Sequence, residues 1–127
     1  MSARPLTARL SSKLLRSAID QAPDAIVIAD ASGRILYANA ATEPLVGRPA
    51  ADLIGRPFAV ALPPGHAAAS YRSVTNALRE GRAWSGLKVV RRADGLHVRV
   101  DLAVSPVRDA SGAVTHSLSI GRIRRTR

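Results

Sequence analysis

Leu96-His97-Val98-Arg99-Val100-Asp101-Leu102-Ala103-Val104-Ser105 is the stretch that decides the fold class. Its even positions are apolar and its odd positions polar or small. That period of two belongs to an antiparallel strand with one face on a core and the other in water. Pro106 is expected to end this ladder, since proline has no N–H to contribute. Upstream, Trp84 to Arg92 reads as a second strand, joined to the first through Ala93-Asp94-Gly95. Downstream, Ala113 to Ile123 reads as a third, following Asp109-Ala110-Ser111-Gly112. The same tetrapeptide, Asp30-Ala31-Ser32-Gly33, separates two further β-rich runs, Ala25 to Ala29 and Arg34 to Ala38, which read as a hairpin. Each copy offers an Asp that caps a turn and a Gly that takes positive φ, so the repeat is one of turn chemistry.

Outside the strands the period changes. Leu10, Leu14, Leu15, Ala18, Ile19 and Ala22 recur at helical spacing, with Arg9, Lys13, Arg16 and Asp20 on the opposite face. They predict an amphipathic helix over 10–22, with Ser11 or Ser12 as N-cap and Pro23 as its end. From 40 to 64 the prolines and glycines leave room only for helices of one or two turns, and Asn39 reads as the N-cap of the first. Ala67 to Glu80 contains no breaker and reads as a longer helix stopped by Gly81. Helix, two strands, short helices, long helix and three strands make an α+β domain, one antiparallel sheet with a helical layer across one face.

A chain of 127 residues fits a single domain with its own core. It has no cysteine, which excludes a disulfide framework, thiolate metal sites, a cysteine nucleophile and a thiol-attached chromophore. No apolar run approaches the roughly 20 residues of a spanning helix, and the start at Met1 lacks a signal-peptide pattern, so a cytoplasmic segment is expected. The net charge is +10, which taken alone hints at a polyanion partner. That charge gathers at the ends: Arg4, Arg9, Lys13 and Arg16 against Asp20 at one, Arg122, Arg124, Arg125 and Arg127 at the other. The expected organisation is a flexible basic segment 1–9, the helix 10–22, a domain 23–121 and a basic tail or linker 122–127. His66, His97 and His116 lie far apart, the Ser, Asp and Glu residues are scattered, and the glycines sit in turns. Neither catalysis nor a metal site is therefore expected.

Four stretches taken together resemble the PAS domain, the sensory and dimerisation module of bacterial signalling proteins, over about residues 17–121. They are Ala25 to Asn39 with its Asp30 and Gly33, Leu53-Ile54-Gly55-Arg56, the spacing Gly81, Trp84, Gly86 with Arg91-Arg92-Ala93-Asp94-Gly95, and Ser105-Pro106-Val107-Arg108-Asp109 with Gly112. One departure is that Ile123-Arg124-Arg125 stands where the family carries Asp-Ile-Thr after its last strand.

The resemblance implies a five-stranded antiparallel sheet enclosing a ligand cavity under the helical layer. Resemblance and strand parity give Tyr71, Thr75, Val90, Val98, Val100, Leu102, Val104, Ser117 and Ser119 as cavity candidates, a mostly aliphatic set suited to an unidentified small or apolar molecule or to none. They place Leu14, Leu15 and Ile19 with Val114, His116, Leu118 and Ile120 at an outer sheet face covered by the N-terminal helix or by a dimer partner. Haem is not expected, because relatives that bind it place the proximal His inside the long helix, near Ser70 here, whereas His66 precedes that helix. Flavin chemistry through a cysteine adduct is excluded. Trp84 is expected to pack structurally. Arg72 and Lys88 are expected in solvent, although either, turned inward, would hold a carboxylate. The expected function is a homodimeric sensor domain, not itself an enzyme, attached to a histidine kinase, cyclic-dinucleotide enzyme or transcription regulator. The alternative is a nucleic-acid binder using its basic ends, disfavoured by an aromatic content of 3% that leaves few stacking platforms.

Overall fold

The computed structural model describes residues 10–58 and 67–124 and, between 67 and 71, the backbone alone. The segment 1–9, His66 and the tail from 125 lie outside the described residues, as do the side chains of Ser70 and Tyr71. In chain order the described elements are α1 (Ser12–Asp20), β1 (Ala25–Asp30), β2 (Ile35–Ala38), α2 (Thr42–Val46), a 3-10 helix (Ala50–Leu53), α3 (Ala67–Arg79), β3 (Trp84–Arg91), β4 (His97–Arg108) and β5 (Val114–Ile123). The strands form one antiparallel sheet in the order β2-β1-β5-β4-β3. On its inner face α2 packs against β1 and β3, and α3 against β3 and β4.

The core follows the alternation. Ala25 and Val27 of β1, Ile35 and Ala38 of β2, Leu45 and Val46 of α2, Leu53 and Val100 form one buried cluster. Leu96, read as the start of the apolar face, lies in the turn before β4 and is 61% exposed. Pro106 does not end β4: the strand continues to Arg108, with Pro106 opposite Ser117. On the other side β3 pairs no further than Val104, so β4 is an edge there and the missing N–H costs no ladder bond. β5 runs from Val114 to Ile123, within the stretch expected as the last strand.

Both Asp-Ala-Ser-Gly turns are built alike. Asp30 Oδ1 accepts from Ser32 N (2.9 Å), Ser32 Oγ (2.7 Å) and Arg34 N (3.0 Å), and Gly33 has φ +88°. Asp109 Oδ1 accepts from Ser111 N (2.8 Å) and Ala113 N (3.2 Å), with Gly112 at φ +87°. Elsewhere the recurrent charged residues tie turns to helices. Arg92 donates to Pro44 O at 2.9 Å and Ala93 N to Val46 O at 2.8 Å, so the β3–β4 turn holds α2, while Arg108 bonds Gly81 O at 2.8 Å beyond the end of α3.

Asn39 corrects the capping expectation. The N-cap of α2 is Ala41, with no side-chain cap. The fully buried Asn39 amide spends its capacity on long-range partners instead. Oδ1 accepts from Ile26 N (2.8 Å) and Thr42 Oγ1 (3.0 Å), and Nδ2 donates to Ile19 O and Asp24 O, both at 2.9 Å.

Two outcomes follow. Asn39→Ala, by orphaning these groups, lowers stability by about 3 kcal/mol in urea unfolding. Asn39→Asp costs more at pH 7, where a carboxylate faces two carbonyls, and recovers part of the loss as the pH is lowered and the carboxyl protonates; a loss unchanged between pH 7 and pH 4.5 would contradict the geometry. The Ser32 and Ser111 hydroxyls, foremost among several donors, hold the Asp30 and Asp109 carboxyls below the usual carboxylate range. Their stabilisation is present above an unfolded value near 3.8 and disappears as pH falls through the depressed folded values. NMR titration of both carboxyls, with midpoints below 3.8, checks this.

Candidate functional site

Between the inner sheet face and α2 lies a cavity of about 60 Å³. Val90, Val100, Leu102 and Ser119 from the sheet face it, with Leu45 and Leu53 opposite. Its walls are almost wholly apolar because α2 and the 3-10 helix point their leucines at the inward positions of β4 and β5. Among the described residues the polar side chains on it are Thr42, Lys88 and Ser119. Thr42 is engaged with Asn39, whereas the Ser119 hydroxyl has no hydrogen-bond partner among the described residues.

Lys88 departs from the expectation of solvent. On β3 the inward positions are Trp84, Gly86, Lys88 and Val90, and the exposed ones include Leu87 and Val89. The Trp84 indole lies across Gly86: a Cβ there would stand 2.9 Å from Trp84 Cη2 and 3.0 Å from Cζ2. This close approach explains the Trp-x-Gly spacing physically. Lys88 Nζ then sits 4.8 Å from the centroid of the same ring, a cation held on a π face. Burial pushes the Lys88 ammonium below its usual pKa. Arg72, the other residue considered, is exposed.

Of the cavity candidates, Val90, Val100, Leu102 and Ser119 line this space, and Val98 packs against the neighbouring core cluster. Val104 is buried elsewhere on the inner face. Thr75 and Ser117 border a separate recess beside the first turn, shared with Val114 and His116. Sequence reasoning missed Ala25, Val27, Ile35, Leu45, Leu53 and Phe58 as lining residues. For the first three the signal was present, since they lie on the inward side of the hairpin.

The outer face carries a continuous apolar ladder. Ile120 stands opposite Ile26 and Ala103, Leu118 opposite Ile28 and Ser105, and His116 opposite Asp30 and Val107. α1 does not cover it. Instead its end is moored beside β2, where Tyr37 Oη donates to Asp20 at 3.1 Å and Arg16 lies 6.0 Å from the Tyr37 ring centroid. Leu14 and Leu15 remain 52% and 45% exposed and Ile120 39% exposed, with Ile19 partly buried. Two arginines of the basic end face carboxylates: Arg122 bridges Asp24 at 3.0 Å and Arg124 bridges Asp101 at 2.8 Å. Among the described residues no cluster of His, Asp and Glu could hold a metal, and no helix is long and apolar enough to cross a membrane.

Residues 13–124 match the family model of the PAS fold. The human high affinity cAMP-specific and IBMX-insensitive 3',5'-cyclic phosphodiesterase 8A is 26% identical over 107 residues, 84% of this chain but 13% of that enzyme. The chain therefore spans a small part of that relative. The PAS domain of a protein from Colwellia psychrerythraea superposes with a TM-score of 0.81 at 26% identity, covering 88% of this chain and 95% of that one. An RNA-binding light-oxygen-voltage receptor gives a TM-score of 0.81 at 28% identity, over 94% of this chain and 36% of that one.

Gly86→Ala drives a methyl into the indole and displaces it from β3. The expected result is a loss of about 1–3 kcal/mol and a red-shifted emission from Trp84, the single tryptophan of the chain. Unchanged emission would show that the ring does not lie on Gly86.

Proposed function

The chain belongs to the PAS fold family, and from that premise we propose that it is a ligand-responsive sensor domain of a bacterial signalling protein, working as a homodimer. The observation that carries the reading is the apolar cavity, whose wall residue Thr42 shares the Asn39 amide with the last turn of α1. Occupancy of the cavity shifts the population of α2 positions, and Asn39 passes the shift to α1. The outer ladder of Ile26, Ile28, Leu118 and Ile120, with Leu14 and Leu15 of α1, supplies the surface for a second copy. Catalysis, where the parent protein performs it, belongs to an attached output module such as a histidine kinase or a cyclic-dinucleotide enzyme.

The described lining residues favour a molecule smaller than a flavin. Sites for molecules of that size begin near 300 Å³, well above the room between these walls, and the chain has no thiol for an adduct. The nucleic-acid reading rests on net charge, and Arg122 and Arg124 already have carboxylate partners.

Light scattering at tens of micromolar is expected to give a dimer mass, and Leu118→Glu a folded monomer. A monomeric wild type would overturn the dimer. Absorbance and native mass spectra of the purified protein are expected to show no chromophore above 300 nm; a flavin or haem band would overturn the colourless-ligand reading.

A further inference from the structure

Resting on the sensor reading, we propose that α2 is the door of the cavity and Arg92 its latch, so that a ligand enters between Leu45 and Gly121 from a surface groove at the end of the sheet. That groove is bounded by Pro23 and Asp24 before β1, by Pro44 and Leu45 of α2, and by the end of β5 from Gly121 onward. Ala25, Leu45 and Gly121 line the groove and the cavity alike. Here a single layer of residues separates the two spaces. Gly121 contributes only backbone to that layer, and a Cβ placed on it would stand 3.7 Å from Leu45 Cδ1. Withdrawing the Leu45 side chain joins groove to cavity.

The way α2 is held allows it to swing. A helix of 5 residues forms too few internal hydrogen bonds to persist by itself, and its N-cap, Ala41, makes no side-chain bond. Other segments hold it at both ends. At its start Thr42 Oγ1 donates to the buried Asn39 amide at 3.0 Å, and this end is the hinge. At its finish the carbonyls of Pro44 and Val46, left over by the short helix, accept from Arg92 Nη1 at 2.9 Å and Ala93 N at 2.8 Å. The turn and α2 lie so close that a Cβ on Gly47 would stand 3.1 Å from Ala93 N. The Arg92 side chain is partly exposed whereas Asn39 is fully buried, so water reaches the latch and not the hinge. Bonds that water can reach open at lower cost than buried ones.

Xenon, which enters dry apolar cavities, is the probe. Saturation-transfer xenon NMR on the folded chain gives the rates of entry and exit, and shifts of the Val100 and Gly121 amides place the gas in the cavity. Arg92→Gln is expected to raise both rates together by about tenfold, the kinetic equivalent of one charged hydrogen bond. Their ratio, the dissociation constant, should change little, because the closed cavity is the same. Arg92→Lys, which can still donate to Pro44 O, restores slow exchange. Arg34→Gln removes a comparable bond, from Arg34 Nη1 to Gly55 O at 2.9 Å, and should leave both rates unchanged. Rates indifferent to Arg92, rates raised equally by Arg34→Gln, or a faster exit with weaker binding overturn the door and leave the sensor reading standing. Xenon shut out of the wild type overturns the door and the cavity's role together. Leu45→Ala, which trims the door itself, is expected to speed exchange likewise, so an unfolded Arg92→Gln does not shelter the inference.

Discussion

Four segments meet at the side-chain amide of Asn39. Its oxygen takes the N–H of Ile26 at the start of the hairpin and the hydroxyl of Thr42 at the start of α2, while its nitrogen serves the carbonyls of Ile19 and Asp24 on the way out of α1. A primary amide has two donors and two acceptor lone pairs, so this one is fully used. At 0% exposure, removing it would leave each partner to be desolvated without compensation. β1 is central to the hairpin side of the sheet, and α2 forms the opposing cavity wall. The separation of those two walls, and the direction in which α1 leaves, therefore hang on one side chain.

Local chemistry was legible in the sequence, and long-range partners were not. The alternation within His97–Val104 and the paired Asp-Ala-Ser-Gly turns carry their geometry within a few residues, so periodicity and turn chemistry find them. Asn39 bonds residues as many as 20 positions away, and nothing adjacent to it distinguishes a cap from such a staple. Pro106 was misread for a related reason: whether it breaks a ladder depends on how far β3 extends, which its own neighbours do not encode. Lys88 lies on the inward parity of β3, although its charge alone points to solvent. The Trp84 ring, placed over Gly86, is what gives the ammonium somewhere to sit indoors.

The surplus charge has a quieter role than its size implies. The ion pairs Arg122–Asp24 and Arg124–Asp101 are largely exposed, and such pairs contribute little stability each. Their placement matters more. Asp24 precedes β1, so the first pair joins the chain leaving β5 to the chain entering the sheet, next to the α1 exit that Asn39 holds. Ile123-Arg124-Arg125 stands where the family pattern has Asp-Ile-Thr, and just before it Arg122 ties the end of β5 to Asp24.

The cavity itself follows from composition. The inward positions of β5, the central strand, are Ser117, Ser119 and Gly121, and at Gly121 an added Cβ would stand 3.1 Å from Val100 Cγ1 and 3.7 Å from Leu45 Cδ1. At Gly121 the wall is thus already close, and Ser119 is the β5 side chain whose small size leaves space between sheet and α2. At about 24 cal/mol per Å³ a void of about 60 Å³ costs on the order of 1.5 kcal/mol. The proposed ligand, by filling the void, recovers that free energy only while bound. On the proposed reading, occupancy thus becomes a difference in stability between two states, and such a difference is what shifts a population.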